Sequence, residues 1–142
     1  MINALPPEVL VQIVDATPLR VFWKDRESRF LGCNQLFADD AGVPNLAELI
    51  GKSDYFFCEP QQASAFRDDD ADVMLSGVPR LGIVGKFTHA NGEARWLEVS
   101  KIPLRDAEGL VWGVIGIYQD ITARIQAEEA RCISCLASQA AA

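Results

Sequence analysis

Few side chains in this sequence are equipped for acid–base, nucleophilic or metal chemistry. His89 is the only histidine, and the cysteines are Cys33, Cys58, Cys132 and Cys135. Hydrolytic catalysis needs a nucleophile, a base and a group that orients the base. No Ser-His-Asp or Cys-His set is readable around His89, which stands beside the Asn91-Gly92 turn and is expected at the surface. Cys132 and Cys135 have the CxxC spacing of redox and zinc sites. They fall in a helical-looking tail, not between a strand and a helix, and no second pair of ligands lies near enough to complete a zinc site. Asp68, Asp69, Asp70 and Asp72 crowd one stretch, but on a helix only Asp69 and Asp72 share a face. They read as a solvated acidic face and not a cation site. Gly82 and Gly85 do not precede a helix, so no phosphate-binding turn is indicated. The expectation is a protein that is not an enzyme, with no metal site and free thiols.

The elements that carry these residues fit one domain. The chain has 142 residues, 49% hydrophobic and 23% charged, within the range of ordinary globular domains. Thirteen Lys and Arg against 20 Asp and Glu give a net charge of −7. Phosphate binding needs clustered cations, so no nucleic-acid partner is expected. No run approaches the roughly 20 apolar residues of a membrane span, and Met1–Val9 has no basic segment leading into an apolar one. The expected location is cytoplasmic, without direct membrane insertion.

Pro7, Glu8 and the spacing of Val9, Leu10, Ile13 and Val14 predict a helix that Pro18 ends. Two short strands follow, Leu19–Lys24 and Phe30–Cys33, joined by a polar turn. Asn34 suits the cap of a short helix closed by Gly42. Asn45–Ile50 reads as another short helix, Ser53–Glu59 as a turn, and Pro60–Ser76 as a long amphipathic helix. Arg80–Thr88, Ala94–Leu104 and Leu110–Gln119 are extended, with turns at Asn91-Gly92 and Asp106–Gly109. Helix resumes at Asp120. Consecutive hairpins predict an α+β fold: a five-stranded antiparallel sheet with helices on one face, plus N- and C-terminal flanking helices. The expected organisation is a flanking helix over 1–17, a core over 18–120 and a C-terminal helix over 121–142.

One ordered set of residues is more specific. It comprises Arg95-Trp96-Leu97, Ser100–Asp106, Gly109, Gly113-Val114-Ile115-Gly116 and Asp120-Ile121-Thr122, preceded by Lys24-Asp25, Asn34 with Phe37, Gly42, Ile50–Asp54 and Ser76-Gly77. With this order of elements the chain resembles the PAS family of bacterial sensory modules, including its Asp-Ile-Thr signature. The resemblance implies a five-stranded sheet around a ligand cavity, in a sensor usually attached to a histidine kinase or a cyclic-dinucleotide enzyme. Flavin photosensors of the family place a reactive cysteine immediately after the asparagine of the first short helix; here Asn34 is followed by Gln35. Haem-binding members supply a histidine from the long helix or the loop after it, and 60–80 has none. Neither photoactive flavin nor haem is therefore expected, which leaves an unidentified small molecule.

Strand alternation, aligned on the family's motifs, places Ile83, Gly85, Phe87, Leu97, Val99, Val114, Gly116 and Tyr118 inward, with Phe22. Phe37, Phe56, Phe66 and Met74 would face them from the helices. Lys24 and Tyr118 are the polar handles, and Gly85 and Gly116 leave space. The same stripe also suits a filled core used only for association. The opposite face carries Trp96, Ile115 and Ile117, an apolar patch that needs a cover. Val9, Leu10 and Ile13 of the first helix, or a second copy in a homodimer, would supply it. The expected signal junction is Asp120, Ile121 and Thr122, where side-chain oxygens can cap the last helix.

Overall fold

A computed structural model describes residues 6–88 and 92–141; His89 and Asn91 lie outside them. Pro7 occupies the first turn of helix α1 (Pro7–Ala16), and the helix stops at Thr17, which the following proline holds extended. Strands β1 (Arg20–Asp25) and β2 (Phe30–Cys33) form the first hairpin. The turn between them carries Ser28 at φ 61°, an unusual left-handed conformation for a residue with a Cβ.

Asn34 ties the hairpin to both neighbouring helices. Its Oδ1 accepts from the backbone N–H of Val21 at 3.0 Å and of Phe37 at 3.2 Å, and its Nδ2 donates to the carbonyls of Val14 at 3.0 Å and Leu19 at 2.8 Å. It thereby caps α2 (Gln35–Ala41), which ends on Gly42 in the left-handed conformation. Leu46–Glu48 and Asp54–Phe56 are single 3₁₀ turns. Helix α3 (Pro60–Ser76) starts on a proline and ends on left-handed Gly77.

The chain then runs through β3 (Arg80–Thr88), β4 (Ala94–Arg105) and β5 (Val111–Asp120) into α4 (Thr122–Ala141). The sheet order is β2-β1-β5-β4-β3, antiparallel throughout, so the first and last strands are central neighbours. This is the α+β architecture that the hairpin order predicts. Helix α2 packs against β1 and α3 against β4 and β5, on one sheet face. Between them Phe22, Phe30, Phe37 and Leu49 form the core. Burying one such side chain contributes about 1.5–3 kcal/mol. Gly116 is required by this packing: a Cβ there would overlap the Phe22 ring, so the space expected at Gly116 is taken by Phe22.

Candidate functional site

The pleat fixes which side chains share the inner face. Register pairs Phe22 with Gly116, Val99 with Tyr118, and Gly85 with Leu97. The residues two positions away on each strand point the same way. A cavity of about 500 Å³ opens between this face, α2, α3 and the Asp54–Phe56 turn. Its walls are largely aromatic: Phe22, Phe30, Phe37, Phe57, Phe66 and Phe87, with Leu97 and Val99. Phe66 and Phe87 stack at 5.9 Å, and Phe22 and Phe37 lie 4.9 Å apart. Both are favourable separations for ring pairs.

The floor is ionic. Lys24 Nζ lies 2.6 Å from Asp54 Oδ2 and 2.7 Å from Asp70 Oδ2, and Lys101 Nζ lies 2.6 Å from Asp70 Oδ1. Ser28 Oγ donates to Asp70 Oδ2 at 2.5 Å. All five residues are buried. Burial pushes the Asp70 carboxyl up, but Lys101 and Lys24 outweigh it and hold the carboxyl below its usual range. Burial lowers Lys101 despite the opposing pull of Asp70. Asp54 and Lys101 border the cavity, while Lys24 and Asp70 stand behind them.

The mouth holds a second polar set. Arg20 Nε donates to Asp40 Oδ2 at 2.9 Å, and Tyr118 Oη donates to the same oxygen at 3.1 Å. Burial and then Asp40 raise the Tyr118 pKa, so the phenol stays protonated. Arg95 Nη1 donates to Asp120 Oδ2 at 3.2 Å. Asp120 Oδ1 accepts from the backbone N–H of Thr122 at 2.9 Å, at the start of α4. Thr122 Oγ1 accepts from the N–H of Trp96 at 2.9 Å, and the Trp96 carbonyl accepts from the N–H of Ile121 at 2.8 Å. Asp120 thus borders the cavity and caps the last helix. Burial raises its pKa, and the bonds from Thr122 with the charges of Arg95 and Arg20 bring it net below the usual range.

Comparison with known proteins agrees with this geometry. The family model described as the PAS fold matches residues 14–126. The chain belongs to the PAS family. A curated relative, the methanogenesis regulatory histidine kinase FilI of Methanothrix harundinacea, is 36% identical over 110 residues, which are 78% of this chain and 12% of that protein. The biofilm dispersion protein BdlA of Pseudomonas aeruginosa is 30% identical over 110 residues, 75% of this chain and 25% of that protein. The chain therefore spans an eighth to a quarter of these relatives. Among solved structures, the PAS domain of BvgS from Bordetella pertussis superposes with a TM-score of 0.71 at 28% identity, covering 93% of this chain and 96% of that one. The protein is a PAS sensory domain, related to those of a histidine kinase and of BdlA.

Within this PAS domain, Phe22, Phe37, Phe66, Phe87, Leu97, Val99 and Tyr118 border the cavity. Five expected pocket residues do not. Phe56 is 62% exposed, because the 3₁₀ turn points it outward and Phe57 inward. Ile83 is 56% exposed: an extra residue beside Gly82 breaks the register at the start of β3, an edge strand, and α3 does not cover it. Met74 is half-buried but lies off the cavity, in the last turns of α3. Val114 is fully buried, next to Lys24 in register and below the cavity floor. Lys24 is no free handle, since two carboxylates enclose its ammonium. The lining residues not foreseen are the charged Arg20, Asp40, Asp54, Arg95 and Lys101, together with Phe30, Phe57, Ala41 and Cys58. Asp70 corrects the reading of a solvated acidic face: it is buried, whereas Asp69 and Asp72 face Arg80 at the surface.

The proposed dimer residues divide. Trp96, Ile115 and Ile117 lie half-buried on the outer sheet face, and Val9 is half-buried on α1. Leu10 and Ile13 are 47% and 54% exposed, and α1 buries none of its residues, so it does not serve as a lid on that face. Ile121, expected at the signal junction, is buried against its own domain. Among the described residues no group of three His, Cys, Asp or Glu is placed to hold a metal, and no helix is long and apolar enough to cross a membrane.

Proposed function

We propose that this chain is a non-catalytic, cytoplasmic sensor module that binds a small apolar or amphipathic molecule in its core. In this reading it works as a homodimer and regulates an attached or associated output unit, a histidine kinase or a cyclic-dinucleotide enzyme. The observation that carries the reading is the aromatic cavity of about 500 Å³, the size of a small-molecule site. A PAS domain used only for association needs no such space. Three features support coupling to output: Asp120 borders the cavity, it accepts from the first N–H of α4, and α4 is exposed from 126 to 136. The dimer reading rests on the outer apolar face and on the exposed side of α1, which a second copy would cover.

Native mass spectrometry of freshly purified protein tests the sensor reading. The expected result is a retained small molecule that is lost in Phe87→Trp, whose larger ring fills the cavity. Retention at unchanged occupancy in Phe87→Trp overturns this location. A chain that carries nothing and gains no thermal stability from any metabolite returns the association-only reading. Sedimentation of the intact chain, of one lacking residues 1–17 and of one ending at Thr122 tests the dimer. An intact chain that stays monomeric at high micromolar concentration refutes it.

A further inference from the structure

The charges around the cavity indicate what kind of molecule it accepts. Each cation at its surface already faces a carboxylate: Arg20 with Asp40, Arg95 with Asp120, and Lys101 with Asp70. The remaining carboxylate, Asp54, faces Lys24. A charged ligand would have to break one of these pairs or remain uncompensated in a low-dielectric site. An uncharged ligand avoids both costs.

The floor retains hydrogen-bonding capacity. An ammonium has three N–H groups and a carboxylate two oxygens. Among the described residues the hydrogen bonds of Lys101 Nζ go to Asp70 Oδ1 alone, and those of the Asp54 carboxylate come from Lys24 Nζ, on Oδ2. Both side chains are more than nine-tenths buried, and both border the cavity. A donor and an acceptor therefore border the same aromatic cavity. Lys101 Nζ lies 5.1 Å from the centre of the Phe22 ring and 5.8 Å from that of Phe66, so it sits against two phenyl rings that also wall the cavity. A flat molecule that reaches it can stack on those walls.

We propose that the ligand is an uncharged, planar aromatic or heteroaromatic molecule of one or two rings. It carries an acceptor and a donor on adjacent edge atoms, as a cyclic amide does, and sets that edge against Lys101 and Asp54. This rests on the sensor reading and specifies its ligand class. The carbonyl of the edge accepts from Lys101 Nζ, and its N–H donates to Asp54 Oδ1. The ring lies along the phenyl walls.

Three probes of similar shape separate the terms, measured by calorimetry on the full chain: 2-quinolone, naphthalene and 2-naphthoate. The expected order is 2-quinolone tightest, naphthalene weaker by about tenfold or more, as a pair of lost hydrogen bonds implies, and 2-naphthoate weakest. Lys101→Met should abolish the preference for 2-quinolone over naphthalene while leaving naphthalene binding in place. If that variant does not fold, the order of the three probes on the unaltered chain decides alone. Naphthalene or 2-naphthoate binding as tightly as 2-quinolone overturns the ligand class and leaves the sensor cavity standing. No binding of any probe overturns the ligand class, and the retained-molecule experiment then judges the cavity separately.

Discussion

Asp70 joins two buried lysines, and replacing it by asparagine isolates what its charge contributes. The side chain keeps nearly the same shape, but neither oxygen position then offers a full negative charge to Lys101 or Lys24. Lys24 retains Asp54 at 2.6 Å. Among the described residues Lys101 then has no carboxylate within ion-pair distance, because its one such partner there is Asp70 at 2.6 Å. Breaking a buried pair in this way costs about 3–5 kcal/mol, a large part of the roughly 5–15 kcal/mol that stabilises a typical domain. Urea unfolding at pH 7 should show that loss as a lower midpoint at an unchanged slope. The pH dependence supplies a second check. The folded pKa of Asp70 lies below the usual value, so its contribution is complete above the ordinary carboxylate range near pH ~4 and is lost as pH falls towards the folded pKa. The gap between wild type and Asp70→Asn should therefore narrow on acidification. Lys101→Met added to Asp70→Asn should recover much of the loss, since it removes the stranded ammonium. A loss under about 1 kcal/mol at pH 7, or a gap that widens in acid, would refute the view that Asp70 holds the two lysines in place.

Three further outcomes follow from the packing. Asn34→Ala removes the cap of α2 and leaves the Val21 N–H and Leu19 carbonyl without their side-chain partner, which should lower stability by about 2–3 kcal/mol in urea unfolding. Gly116→Ala sets a methyl against the Phe22 ring; the expected cost is about 1–3 kcal/mol from overpacking, with a shifted Phe22 resonance as its signature. Burial, with Asp15 and Asp54 adding to it respectively, pushes the Cys33 and Cys58 thiols up to about 11, whereas Cys132 and Cys135 are exposed. Alkylation at pH 8 followed by mass spectrometry should find Cys132 and Cys135 modified well before the other two.

Most of the fold was legible because its punctuation is local. Pro18, Gly42 and Gly77 each end a helix for a reason contained in one residue, and Asn34 caps α2 as its type and place suggest. The strand spans follow from alternation and turn residues, which are also short-range signals. The Asp54–Phe56 3₁₀ turn was harder. Three aromatics in a row carry no period, and it is long-range packing, Phe57 edge-on against Phe30, that accompanies Phe57 facing inward while Phe56 stays exposed.

The site was legible in its apolar part and hidden in its polar part, and the reason is pairing distance. Alternation assigns Leu97 and Val99 to the inner face, and carried two residues further it assigns Lys101 to the same face. Helical spacing likewise puts Asp70 on the stripe of Ala63, Phe66 and Val73, all facing the sheet. Taken singly, a lysine and an aspartate at inward positions look like errors in the period, since burying either alone is costly. They become intelligible only as partners, and the partners lie 31 and 46 residues apart in the chain. No local pattern links such positions. The useful signal is a coincidence of sign: Lys24 and Lys101 break two strand stripes, while Asp70 breaks a helix stripe and Asp54 sits in a turn. Opposite charges that violate the apolar pattern in elements destined to pack together offset part of each other's burial cost, and here such pairs form the floor of the cavity.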